Sequence, residues 1–343
     1  MQFRPSACIA VVASFPLALL PAAAQAHVKW FCAYNVEGSP RGLENVLCED
    51  FEQLVVLAIS LLLVGAIVEG TPLGSALLRS LDRVTGLIRR YEEAVIRLVA
   101  AGFFTSLWAL KTILLTPELT TNLTFVPWLQ LAIAAALLSR YTLTAAAGGI
   151  VVLFAMSVSQ YGVFHLMDYP IFLGLAAYLA YVGFGRPFPW LRGLDLLRWS
   201  VAITLMWASI EKWAYPQWTA PLFVTHPEMS FGFDPDFYMR AAGVVEFTLA
   251  FALLWTPLVR RCAAAMLLGP FVGAIADFGK IDAIGHSCII AILVVVLADN
   301  ARAPVRIRTI VFTPISYSAA LSLFLLTYYS LHAALFGGPI GIG

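Results

Sequence analysis

Ten stretches dominated by apolar residues divide this chain: 53–70, 94–115, 126–139, 141–160, 169–184, 197–215, 240–257, 262–278, 284–298 and 309–335. A helix needs about 20 such residues to cross a bilayer core. Within lipid, only helices and closed barrels satisfy their own backbone groups. These runs lack the alternation of half-buried strands, so they predict an all-α polytopic membrane protein of about ten transmembrane helices. Composition agrees: 61% of the 343 residues are hydrophobic and only 12% are charged, where soluble domains carry about 25%. The lipid bilayer is therefore the expected partner. A net charge of +1, with no basic run interleaved with aromatics, argues against nucleic acid.

The first residues read as a secretory signal over 1–26. Arg4 supplies the positive end, Ala7 to Leu20 the apolar core, and Ala24-Gln25-Ala26 a small-x-small cleavage site before His27. If His27 starts outside, the arginines fall in alternate loops: Arg79, Arg83, Arg89 and Arg90, then Arg140, then Arg186 and Arg192, then Arg260 and Arg261, then Arg302, Arg306 and Arg308. That bias marks the cytoplasmic side. It implies a bacterial inner membrane location with both mature ends periplasmic. The lysines Lys29, Lys111, Lys212 and Lys280 all fall on the opposite side, where they do not serve topology. Interfacial snorkelling is the plain reason for them. Cys32 and Cys48 flank the outer segment 27–51, where a disulfide is expected; free thiols and metal ligands are the other readings.

The middle of the chain repeats itself. Arg97 and Lys111 are separated as Arg198 and Lys212 are; Leu131-Ala132 recurs as Leu249-Ala250, Ala145-Ala146-Ala147 as Ala263-Ala264-Ala265, and Tyr161-Gly162 as Phe278-Gly279. Four helices per unit, an even number, makes these parallel repeats, over 91–184 and 194–299. A first helix and basic cytoplasmic loop (52–90) precede them, and a final helix and tail (300–343) follow.

The second unit resembles the DoxX-like family of four-helix membrane proteins. The resemblance rests on Arg198, Ser209-Ile210-Glu211-Lys212-Trp213, Ala241-Ala242-Gly243-Val244-Val245-Glu246, the Leu258-Val259-Arg260-Arg261 turn, Phe278-Gly279-Lys280-Ile281-Asp282 and Gly285-His286. It implies a tandem duplication of a domain that usually stands alone. Some members are associated with thiosulfate:quinone oxidoreductase, so quinone-linked redox chemistry with a membrane or periplasmic redox partner is one implication. The chain is then at most an oxidoreductase subunit, and no catalytic residues carry over.

Ionisable residues concentrate in the second unit. Glu211, Glu246, Asp277, Lys280 and His286 stand where the first has Leu110, Trp128, Gln160, Val163 and Tyr169, while Asp282 matches His165. Glu246 lies six residues past Arg240, about 9 Å along a helix. An intramembrane carboxylate there needs a partner, with Lys212 and Lys280 as candidates. Asp282 precedes His286 by one turn and can orient its imidazole; a capping Asp and an interfacial His explain the same residues. Lys280 and Asp277 can also pair with each other. Glu211, Glu246, Asp277 and His286 could ligate a metal, without the Glu-x-x-His pattern of di-iron bundles. A mature His27 could chelate copper through its α-amino group. The aromatic-rich loop from Tyr215 to Tyr238 can cap a pocket over this cluster.

No phosphate-binding glycine loop, Gly-x-Ser-x-Gly elbow or Cys-x-x-Cys pair is present, which disfavours an ATPase, a serine hydrolase and a dithiol oxidoreductase. Three readings remain: a redox-associated subunit binding a quinone or other small apolar ligand, a small-solute or metal-ion transporter using Glu246, and a non-catalytic assembly or scaffold subunit.

Overall fold

A computed structural model describes residues 28–185, 188, 190–302 and 307–337. The signal segment and His27 lie outside the described residues. The chain is all-α, with thirteen α-helices among the described residues. In order they are α1 (Leu43–Val46), α2 (Glu49–Glu69), α3 (Pro72–Arg90), α4 (Glu92–Leu110), α5 (Val126–Ala136), α6 (Leu143–Tyr161), α7 (Val163–Leu166), α8 (Pro170–Gly183), α9 (Gly193–Ala214), α10 (Ala220–Thr225), α11 (Pro235–Ala252), α12 (Pro257–Ala298) and α13 (Ile307–Phe336).

Each of the ten apolar stretches overlaps a helix. Five helical segments are long and apolar enough to cross a membrane: Glu49–Glu69, Glu92–Leu110, Arg140–Tyr161, Pro257–Ala298 and Arg308–Phe336. Two more, α5 and α8, are apolar but shorter. Helices α9 and α11 carry Asp195, Arg198, Glu211 and Lys212, and Asp236, Arg240 and Glu246, respectively; these charges dilute their hydropathy.

The 42 residues of α12 do not form one rod. Gly279 has φ 70° and ψ −149°, a region open in practice only to glycine, and the chain reverses there. The Phe271 and His286 rings lie 4.8 Å apart, although fifteen helical residues would separate them by about 22 Å. Farther from the turn, Arg261 Nε donates to the Leu297 carbonyl at 2.7 Å. The two arms, 257–278 and 280–298, are thus antiparallel, as the separate apolar stretches 262–278 and 284–298 predict.

One expected loop is a helix. The arginine-bearing segment after the first apolar stretch folds as α3, started by Pro72 and by Thr71, whose hydroxyl accepts from the Gly74 N–H at 3.3 Å. Its buried positions Gly74, Leu78 and Thr85 share one face, but the interleaved arginines hide that spacing in the sequence.

Charges collect at two ends of the bundle. At one end arginines predominate: Asp299 holds Arg192 at 2.7 Å and Arg260 at 3.2 Å, Asp82 holds Arg261 at 2.6 Å and also Arg302, and Glu93 holds Arg97 and Arg140. Arg198 belongs to this end, while Lys212, fourteen residues on in α9, lies about 21 Å away. Around Lys212 the second charged group assembles.

The N-terminal segment packs against the Lys212 end. Arg41 N donates to the Ala214 carbonyl, Tyr215 Oη to the Gly38 carbonyl and Tyr329 Oη to the Arg41 carbonyl. His332 Nε2 lies 3.0 Å from the Val36 carbonyl. The segment is tied to α9 and α13 and carries Lys29 and Trp30 into the bundle.

The expected disulfide is absent: Cys32 and Cys48 are free thiols. Cys32 packs in a small separate cluster with Leu222 and Met229, whereas Cys48 packs on the main core where α2 begins. The two cysteines flank the same segment but are anchored in different clusters.

Candidate functional site

Lys29 is the centre of the site. Its side chain is fully buried, and its ammonium bridges Asp168, which precedes α8, and Glu211 Oε1 on α9 at 2.6 Å. The Tyr34 and Trp218 rings face it at 5.7 and 5.4 Å. Burial alone would depress a lysine, but the two carboxylates outweigh it and hold Lys29 above its ordinary range. A lysine from the N-terminal segment thereby joins a carboxylate of the first predicted unit to one of the second.

On the first unit's side stands an aromatic-rimmed acid. The 112–121 loop closes on itself through an Ile113–Thr120 bridge, and Gln130 of α5 donates to the Ile113 and Leu114 carbonyls. This holds Glu118 inward, where it accepts from the Tyr169 hydroxyl and lies 3.6 Å from His165 Nε2, beyond hydrogen-bonding distance. His165 is buried among Tyr34, Tyr161 and Tyr169. Tyr34 is pushed up to about 12, first by its own burial and then by Glu118.

On the second unit's side are two acid–base pairs. Glu246, buried in α11, accepts from Lys212 of α9, the pairing that the depth of Glu246 demands. His286 Nδ1 stands 3.1 Å from Asp282 Oδ1 across one turn, in close contact but without an aligned hydrogen bond. Both residues are buried, and both Asp282 oxygens lack a hydrogen-bond partner. The His286 ring is packed between Trp30 at 4.5 Å and Phe271 at 4.8 Å. Gly285 permits this, because a Cβ there would meet the Trp30 ring at 2.1 Å.

The Lys212–Glu246 pair and His286 border a cleft that is partly open to the outside. Its polar wall is Glu211, Lys212, Glu246 and His286. Tyr215 and Trp218, stacked at 4.1 Å with their planes 4° apart, also line it. A smaller cavity, of about one water molecule's size, lies beside Trp30 and Asp168 and shares Thr204 and Ile289 with the first.

Of the residues expected from sequence, Glu211, Lys212, Glu246, Asp282 and His286 converge on this region. Asp277 and Lys280 do not: both are exposed at the α12 turn, where solvent removes any need for a buried partner. Lys212, not Lys280, pairs with Glu246. The metal reading of Glu211, Glu246, Asp277 and His286 does not hold, since among the described residues no three His, Cys, Asp or Glu side chains are grouped to hold a metal ion. The ionisable set is also less one-sided than the sequence comparison suggested. Glu118, His165, Asp168 and Tyr169 fall in the span expected for the first unit, and Lys29 in neither. Lys29 carried one signal in advance, as a lysine on the side where topology does not require it. Glu118 and Asp168 sit in interhelical segments and carried none.

No family model, no curated protein and no solved structure matches the chain. Fold and composition define a helical protein with segments able to cross a lipid bilayer; its function rests on the site.

Proposed function

We propose that this chain is a DoxX-like inner-membrane protein that binds a small, flat, largely apolar ligand of the quinone class in the Lys212–Glu246 cleft. In this reading ten spans place the cleft on the periplasmic side, and a redox partner supplies electrons. The reading is carried by the cleft's composition: the Lys212–Glu246 pair, Glu211 and His286 line a cleft that also presents a stacked aromatic pair. Few convergent polar groups in an otherwise apolar pocket are what small-molecule sites share. A quinone carbonyl can accept from Lys212 or His286, the ring can pack beside the Tyr215–Trp218 stack, and reduction to the quinol takes two electrons and two protons. Lys212, Glu246 and His286, which line the cleft, are placed to exchange those protons.

Duplication of a four-helix unit is supported by backbone geometry. Gly162 (φ 82°, ψ 158°) and Gly279 (φ 70°, ψ −149°), aligned by sequence, adopt the same glycine-only conformation before the fourth helix of each unit.

The test is solvent extraction of protein purified in mild detergent, followed by titration of a short-chain quinone into the stripped protein. Retained quinone, or saturable binding lost in Glu246→Gln without loss of folding, is expected. Absence of both outcomes defeats the reading.

Proton- or cation-coupled transport is favoured by a separate observation. Glu118, Asp168, Glu211, Glu246 and Asp282 outnumber Lys29 and Lys212 by three in this buried region, so it must take up protons or cations to approach neutrality. Reconstituted vesicles with a pH-sensitive dye would reveal such flux, and Glu246→Gln should abolish it.

A further inference from the structure

We infer that α3 is an in-plane interfacial helix that binds anionic phospholipid headgroups at the arginine-rich end of the bundle. This site is remote from the cleft and independent of the function proposed for it.

The helix crosses the bundle end. Glu69, just before α3, accepts from the Leu258 N–H at 2.8 Å. Asp82 and Thr85, in the second half of α3, bond to Arg261. From Pro72 to Thr85 a helix advances about 20 Å, while Leu258 to Arg261 is less than one turn, about 4.5 Å. A helix running alongside the α12 arm would change partners along it. Instead α3 keeps to the arm's first turn and reaches Arg302, just beyond the other arm, through Asp82. Its axis therefore lies across the ends of both arms, roughly parallel to the bilayer plane.

Three faces can be distinguished on it. At 100° per residue, buried Gly74, Leu78 and Thr85 fall within about 40° of one another and face the bundle. Leu73, Leu77, Val84 and Leu87 form a second stripe about 80° wide, and all four are exposed, Val84 and Leu87 by 69% and 70%. Arg79, Arg83 and Arg90 form a third stripe about 40° wide, centred about 100° from the apolar one, and are also exposed. The one acidic residue of the helix, Asp82, is engaged by Arg261 and Arg302, so these three arginines are not neutralised from within α3.

A strip of large apolar side chains beside a row of arginines suits a boundary where acyl chains meet negative headgroups. Water alone does not suit the leucines, and hydrocarbon alone does not suit the arginines. Guanidinium groups bind phosphate oxygens in two-pronged fashion, and each basic group near an anionic surface adds roughly fivefold to binding. The occupant is thus the anionic phospholipid of the bilayer itself.

The test uses the full chain in two arms. In nanodiscs of mixed phosphatidylcholine and phosphatidylglycerol, lipid retained by the protein is quantified by mass spectrometry. At least tenfold enrichment of phosphatidylglycerol is expected, falling to within twofold of parity in Arg79→Gln/Arg83→Gln/Arg90→Gln, whose melting temperature should match the parent's. Undiminished enrichment in the triple variant overturns the proposal. In vesicles permeabilised so that the reagent reaches both faces, Val84→Cys and Arg83→Cys are exposed to a water-soluble maleimide and the labelled peptides identified by mass. Labelling at Arg83→Cys at least tenfold faster than at Val84→Cys is expected. Equal rapid labelling would put the apolar stripe in water, and no labelling at either would mean a protein covers the face; both results overturn the proposal.

Discussion

Replacing Lys29 by methionine keeps much of the side-chain volume and removes the charge shared by Asp168 and Glu211. Breaking a buried ion pair from one side costs about 3–5 kcal/mol, because the remaining charge is stranded. A stranded carboxylate can escape by taking a proton. From an ordinary glutamate pKa of about 4.3, protonation at pH 7 costs about 3.7 kcal/mol, at 1.36 kcal/mol per unit. The two routes agree, so Lys29→Met should lose about 3–5 kcal/mol at pH 7. Because the escape route becomes easier in acid, the loss should shrink by about 2.7 kcal/mol per stranded carboxylate between pH 7 and pH 5. Thermal unfolding in detergent, measured across that range for wild type, Lys29→Met and Lys29→Met/Glu211→Gln, reads this directly. The double variant should recover part of the loss, since it removes one orphaned charge. A deficit under about 1 kcal/mol at pH 7, or one independent of pH, would refute the reasoning.

Other expectations follow from individual residues. The raised Lys29 contributes stability that is complete below the ordinary lysine range and lost as pH climbs through its higher folded value; wild-type melting should therefore show no Lys29-dependent fall between pH 7 and pH 9. Gly279→Ala forces a side chain into the left-handed region at φ 70° and should cost about 1–3 kcal/mol, measured as a lower melting temperature. Gly285→Ala should be destabilising through its contact with Trp30, and Trp30→Ala should relieve much of that loss in the double variant. Thiol counting under denaturing conditions should give the same number for Cys32 and Cys48 with and without reductant; a reductant-dependent gain of two would contradict their separate packing.

Much of the helical layout was legible because apolar run length is a local property. The reversal at Gly279 was legible for the same reason, as charged and glycine residues interrupt two apolar runs there. Helix α3 was not, since its period is visible only once the three faces are separated. At the site, Glu246 and Lys212 were legible because a carboxylate that deep in a helix calls for a cation nearby. Glu118, Asp168 and Lys29 depend on contacts between residues 139 and 182 positions apart for Lys29 and 51 apart for Glu118 and Tyr169. No local pattern encodes such meetings. Asp277 and Lys280 misled because a charged residue beside an apolar run reads alike whether the turn buries it or leaves it in solvent.

Photolabelling with a short-chain azido-quinone probes the cleft most directly. The label should attach to peptides from α9, the 215–238 segment, α11 and the second arm of α12, compete with unlabelled quinone, and vanish in Glu246→Gln but persist in Asp277→Asn. Label spread over the lipid-facing surfaces of α2 and α13, undiminished by competitor, would contradict a quinone site between Trp218 and Glu246.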